Sequence, residues 1–228
     1  MEKLVYLIEA EASLPGGDLR DGLIEKAARA LRGAGATQIA VNVEDEHVAQ
    51  GGGVKICRAD PPLRAMVGFW LDSADDRGPC EAALAAWGSG LAGYLVVESR
   101  PLVHHPPVGE RAVGANLVTL INRLPGLGDD EFFEHWNNEH RSVALETQST
   151  TAYVRNAVVR ALTPGAPVRD GIVEETFPIE ALSDPHAWYD CTSEEEYQRR
   201  LERMMASVNA FLDLEPLVSV PMSEYFLG

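Results

Sequence analysis

The order of elements in this chain predicts an α+β protein of two tandem ferredoxin-like units, each β-α-β-β-α-β, folded against each other within one chain. Three observations carry that expectation. The apolar strand LVYLI at Leu4 recurs as LVTLI at Leu117, and TQIAVNV at Thr37 recurs as TAYVRNA at Thr151. Both halves then run through the same succession of strand-like and helix-like periodicities. Finally, a four-stranded sheet with two helices on one face leaves its other face bare. Two such sheets bury those faces by closing an eight-stranded barrel, wide enough for side chains and one small ligand.

The first half reads as follows. LVYLIEA is a strand ended by LPGGD, and Asp18 can cap a helix from about Leu19 to Leu31 with Leu23, Ile24, Ala27, Ala28 and Leu31 facing inward. GAGATQ breaks that helix, and Gln38 to Val43 is the second strand. Residues 44 to 64 carry a Gly triplet and Pro61-Pro62, so they read as loop, with VKIC as a short strand inside it. Ala65 to Leu71 is a strand, about Pro79 to Trp87 a helix, and Tyr94 to Glu98 the closing strand. The expected organisation is therefore a scaffold unit over 1–103, a Pro- and Gly-rich linker over 104–114, and a second unit over 115–228.

The second unit opens with a buried strand, LVTLI, and a turn, LPGLGDD, in which Asp129 or Asp130 is the expected N-cap. A helix follows with Phe132, Phe133, Trp136, Val143, Ala144 and Thr147 on one stripe, and His140 falls on that stripe. Next come the strand TAYVRNAVV, a strand near Gly171 to Phe177, a helix from SEEE at Ser193, and a last strand over about Leu217 to Phe226. The run Leu-Pro-Gly-Leu, EFFEHWNNEH and TAYVRN resembles the EthD family, over roughly residues 116 to 226. That family has a Trp and a His spaced like Trp136 and His140, then a strand with a Tyr-x-x-Asn-like pattern, here Tyr153 and Asn156. The resemblance implies a ferredoxin-like unit that pairs into a dimeric α/β barrel; in a tandem chain the pairing becomes an intrachain pseudo-dimer. Family biochemistry is diverse, so the resemblance implies less about activity than about fold.

Composition narrows the classes. At 228 residues, with 46% hydrophobic and 24% charged residues, the chain is an ordinary globular protein. Its 35 acids and 19 bases leave a net charge of −16, which argues against nucleic acid and anionic membranes as partners. Cys57, Cys80 and Cys191 form no CxxC pair, so no disulfide framework or thiolate metal site is expected, and a reducing cytoplasm fits. No signal peptide or membrane-length apolar run is read, so a soluble protein is expected.

His140 is the leading catalytic candidate, because imidazole titrates near neutrality, at about 6.5. The alternative is a core histidine bonded to backbone. Trp136 would wall or stack on a planar substrate. On the strand after the helix, Tyr153 and Arg155 share one face and Val154, Asn156 and Val158 the other. The Val face suits the helices, so Tyr153 and Arg155 are expected to point into the barrel and hold an oxyanion or phenolate. Asn42 and Asn156 read as structural, at a strand bend. Glu174 and Glu175 point to opposite faces, so one could enter the barrel as acid or base, although a solvated edge strand is the commoner explanation. Arg123 is a candidate anion holder at the barrel mouth, or is simply solvent-exposed, and Trp188 and Tyr225 are candidate lining aromatics, although such residues are more often core. His135 and His140 are five apart, HExxH is absent, and no Gly-rich phosphate loop lies between strand and helix. No metal or cofactor is expected.

The sequence reading is thus a cofactor-independent enzyme of lyase, dehydratase or cyclase type. It would act by proton transfer on a hydrophobic, aromatic or polyketide-like small molecule, with His140 as shuttle and Tyr153 and Arg155 on the oxyanion. The reaction class comes from the resemblance. Alternatives are a non-catalytic or stress-associated barrel that sequesters an apolar ligand, and an oxygenase or haem-dependent protein. Further homodimerisation is left open.

Overall fold

The computed structural model describes residues 1–228. Eight antiparallel strands close a barrel: β1 (Glu2–Glu9), β2 (Thr37–Val43), β3 (Leu63–Leu71), β4 (Gly90–Leu102), β5 (Ala115–Arg123), β6 (Ala152–Ala161), β7 (Gly171–Phe177) and β8 (Leu212–Phe226). Round the barrel they run β1-β3-β2-β8-β5-β7-β6-β4. The first four strands are thus neighbours in the order β4-β1-β3-β2, and the last four in the order β8-β5-β7-β6. The two sets meet at β2–β8 and β4–β6, so no strand edge is left unpaired.

Helices cover the outside. The main ones are α1 (residues 16–33), α2 (Gly78–Ala85), α3 (residues 129–147), α4 (Pro185–Trp188) and α5 (Glu194–Asn209). The middle turn of α1, Gly22–Ala27, and that of α3, His135–His140, are wound as π-helix. Asp129 and Asp130 lie inside α3 rather than capping it. Gly128 holds the N-cap position without a side-chain bond, and the two aspartates favour the helix start by charge alone. α5 begins as expected, with Ser193 Oγ accepting from the Glu196 N–H. No helix is long and apolar enough to cross a membrane.

Most barrel strands are buried on both faces over much of their length, which decides where side chains go. Facing inward, Val5, Leu7, Met66, Tyr94, Val96, Val118, Leu120, Ile172, Val220 and Met222 form one packed cluster across both strand sets. The barrel centre is filled by side chains. Toward one end the interior turns polar. The Lys3 ammonium bonds Glu98 and donates to Asn156 Oδ1 at 2.8 Å, and it lies 3.6 Å from Glu174. Asn156 Nδ2 donates to Glu174 Oε1 at 2.9 Å and to the Ile172 carbonyl at 3.2 Å, and Asn116 Nδ2 donates to Asn42 Oδ1 at 2.8 Å. Asn42 and Asn156 are thus members of a buried charge network, not residues that merely satisfy backbone at a bend.

This corrects the facing expected for β6. Val154 and Asn156 face the barrel, and Tyr153 and Arg155 face the helices. Tyr153 packs with Trp136 and Phe132 in the cluster under α3. The Val-rich face suited the helices only if the barrel interior were polar throughout. That interior is instead an apolar core, and valine fits it equally well.

Candidate functional site

Between the outer face of β5–β7–β6–β8 and helices α3 and α5 lies a cavity of about 250 Å³. It sits just below the usual size range of small-molecule pockets. Its position follows from strand register. In the β1–β3 pair, Leu4 lies opposite Phe69 and Tyr6 opposite Val67. In the β5–β7 pair, Leu117 lies opposite Glu175 and Thr119 opposite Val173. Tyr6 and Phe69 stack, with ring centroids 5.6 Å apart and planes at 4°, and fill the space under the first helices. At the matching places the second half has Thr119 and Glu175. Two large rings are replaced by smaller side chains, and the volume stays open.

Five of the residues singled out from sequence line this cavity: Trp136, His140, Tyr153, Glu175 and Trp188. His140 sits at the end of the π-wound turn, a local irregularity often found at functional positions. Its Nδ1 is 3.0 Å from Ser207 Oγ on α5, and its ring packs 5.0 Å from that of Phe211. Burial, reinforced by the nearby Arg155 charge, pulls its pKa down to about 4. The imidazole is therefore neutral at physiological pH, not poised near neutrality as its ordinary value suggests.

Glu175 is the group poised there. Its Oε1 is closed off from solvent and has no hydrogen-bond partner. Burial raises its pKa to about 7. Tyr153 is almost wholly buried; burial and then the Glu175 charge push its hydroxyl above the ordinary range, so it stays a proton donor. Trp188 stacks on Phe177, centroids 4.1 Å apart and planes at 20°, and is fixed by it. Thr119 Oγ1 and Ser219 Oγ lie 3.0 Å apart in the same wall.

The remaining candidates lie elsewhere. Arg155 is behind Trp136, not in the cavity: its Nη1 donates to the Trp136 carbonyl and its Nε to Ser99 Oγ, both at 3.1 Å. Arg123 is taken up by Asp129 and by Asp170, which its Nε reaches at 2.8 Å. Glu174 faces the barrel interior in the Lys3 network. Tyr225 belongs to the first-half core, and its hydroxyl donates to Asp45 Oδ2 at 2.8 Å. In each case a nearer partner of opposite charge or polarity satisfies the group before a ligand can.

Sequence reasoning missed Phe211 and Thr119 in the cavity wall, the first-half residues Val54 and Ile56 that also line it, and Ser207, the partner of His140. Only the missing ring at Thr119, against Tyr6 in the repeated LVxLI, was visible beforehand. The chain contains no cluster of three or more His, Cys, Asp or Glu side chains arranged to hold a metal ion.

Residues 124–215 match the EthD domain family. No curated protein sequence matches the chain. Among solved structures, it is similar to an anthrone oxidase-like protein at 11% identity and a TM-score of 0.60, over 100% of this chain and 93% of that one. It is also similar to a candidate monooxygenase of Fusobacterium nucleatum subsp. nucleatum, at 9% identity and a TM-score of 0.52, over 100% of this chain and 92% of the other. At these identities the likeness is one of fold.

Proposed function

This chain carries an EthD domain over residues 124–215, and from that premise we propose that it is an enzyme of proton transfer, acting without a bound cofactor on an uncharged small molecule held between β5–β7 and α3. The observation that carries the reading is Glu175, whose Oε1 is buried and unpartnered in the wall of an apolar cavity that a neutral histidine also lines. A carboxyl with a pKa near the working pH is suited to general acid–base catalysis. As carboxylate, Glu175 takes a proton from an activated C–H or O–H. Tyr153, and His140 in the tautomer protonated at Nε2, donate to the oxygen on which charge develops. In that tautomer Nδ1 is the acceptor, and the Ser207 hydroxyl 3.0 Å away is the donor it requires. Return of the proton elsewhere completes an isomerisation; loss of a leaving group completes a dehydration or cyclisation. His140 thus passes from proton shuttle to oxyanion partner.

On the same reading the two halves are tandem ferredoxin-like units, 1–103 and 115–228, joined by the 104–114 linker. The strand orders β4-β1-β3-β2 and β8-β5-β7-β6 support it. A second reading, oxidation, is motivated by the descriptions of the anthrone oxidase-like and monooxygenase-like barrels. The anion formed at Glu175 would there be consumed by dioxygen. A panel of hydroxylated aromatic and β-dicarbonyl compounds, assayed with and without oxygen, separates the two. Glu175→Gln should lower turnover by about 10²–10⁴-fold with an unchanged near-ultraviolet circular dichroism spectrum. Undiminished turnover in that variant sinks the proposal.

A further inference from the structure

The cavity at His140 and Glu175 is not closed. Val54, Gln148 and Trp188 line it and also line a second, larger space of about 580 Å³ nearer the surface, between α4, the start of α5 and the segment before β3. We infer that these are two chambers of one binding site, joined at a neck formed by Val54, Gln148 and Trp188, and that the site takes an elongated, uncharged ligand whose reacting end lies against Glu175 while its far end rests on Tyr189 and Tyr197. This inference deepens the proposed function and rests on it for the choice of reacting end.

Charge argues for the ligand class. Neither chamber has a lysine or arginine in its wall, and each contributes one acid, Glu175 within and Asp184 outside. A carboxylate, phosphate, sulfonate or coenzyme A conjugate would lose its water without gaining a cation, and would meet like charge at both ends. A cation fares little better inside, where 13 of the 18 lining residues are hydrophobic. Shape argues for length. The inner chamber alone is small for a ligand pocket, and the outer chamber offers the faces and edges of Trp188, Tyr189 and Tyr197, the last two in edge contact at 5.5 Å between centroids.

The roof of the neck comes from the first half of the chain. Residues 46–53 form a 3₁₀ turn that ends at Val54, and Ile56 exchanges two backbone hydrogen bonds of 2.7 Å with Ser219 of β8. Gln50 Nε2 donates to the Ile179 carbonyl at 2.8 Å and ties the same turn to the far rim. The first half thus completes a site whose chemistry lies in the second.

The test uses two probes of nearly equal shape: neutral N-phenyl-1-naphthylamine and its sulfonated relative 1-anilinonaphthalene-8-sulfonate, titrated into the full chain and followed by fluorescence. The neutral probe should saturate one site and bind at least about tenfold more tightly than the sulfonate. Gln148→Trp, which fills the neck, and Tyr197→Ala, which removes an outer contact, should each weaken the neutral probe by about fivefold or more with circular dichroism unchanged. Equal binding of the sulfonate overturns the charge selection, and absence of saturable binding overturns the whole inference. If both variants bind normally while Glu175→Phe abolishes binding, the inner chamber alone is the site; the two-chamber inference fails and the proposed function stands. If Glu175→Phe also binds normally, both fall.

Discussion

Glu175 occupies in β7 the place that Phe69 occupies in β3: each lies opposite the first leucine of an LVxLI strand, Leu117 in one case and Leu4 in the other. A buried ring in one half corresponds to a half-buried acid in the other, and the cavity is the difference between them.

That relationship makes Glu175→Phe a filling substitution. It removes an unpartnered carboxyl and restores apolar contact to Trp136 and Tyr153. The expected result is a gain of about 1 kcal/mol, or a Tm higher by roughly 2–4 °C, together with loss of ligand binding. Calorimetry with and without a bound probe checks both parts.

The pH dependence of stability isolates the same group. The pKa of Glu175 rises from the ordinary carboxylate value to about 7 on folding, so the folded state holds its proton more tightly. The stability this contributes is fully present below about pH 4.5 and is lost as pH rises through 7. Glu175→Gln should therefore match the wild type at pH 5 and exceed it by about 2–3 kcal/mol at pH 8.5. Denaturant titrations at the two pH values decide this, and equal differences at both would mean that the carboxyl is solvated.

His140 has the opposite sign. Its pKa falls to about 4 in the fold, so it contributes stability above its ordinary value near 6.5, and that stability is lost as pH falls toward 4. In proton NMR its ring resonances should not move between pH 8 and 5.5, whereas those of an exposed imidazole titrate. Movement centred near 6.5 would contradict its burial.

Arg155 acts on that histidine from outside the cavity. Arg155→Met removes the bond to the Trp136 carbonyl and should cost about 1–2 kcal/mol. It also removes a positive charge that depresses His140, so the His140 pKa should rise. The same NMR titration reads this, and a fall or no change would refute the coupling.

Lys3 holds the polar end of the barrel. Lys3→Met leaves Glu98 and Glu174 without their shared cation in a buried setting and should destabilise by about 3–5 kcal/mol, measured by chemical denaturation. Because the network lies on the opposite face of the sheet from Glu175, turnover per folded molecule should be unchanged.

Much of the architecture was legible in advance. The LVxLI strands, the GIVEETF strand at Gly171–Phe177 and the Ser193 cap all lie where periodicity and capping chemistry place them. The 46–53 turn and the short α4 were not legible, because both are held by contacts with distant segments and not by local preference. Of the candidate residues, Trp136, His140, Tyr153, Glu175 and Trp188 share the cavity. Arg123, Glu174 and Tyr225 are claimed by Asp170, Lys3 and Asp45, partners far away in sequence that no local reading supplies.

By itself the sequence determined that two similar runs of strands and helices must bury two sheet faces, and that an unusual histidine lies on the inner stripe of α3. It did so because hydrophobic period and turn chemistry are local properties. Which face of β6 meets the barrel was decided only by the tertiary structure. A strand covered by a core on one side and helices on the other buries both faces, so alternation marks the faces without telling inside from outside. The same holds for the opposite pKa shifts of His140 and Glu175. The pKa of Glu175 is set by burial and that of His140 by burial and Arg155, and those come from how the helices lie on the sheet, not from the residues' own chemistry.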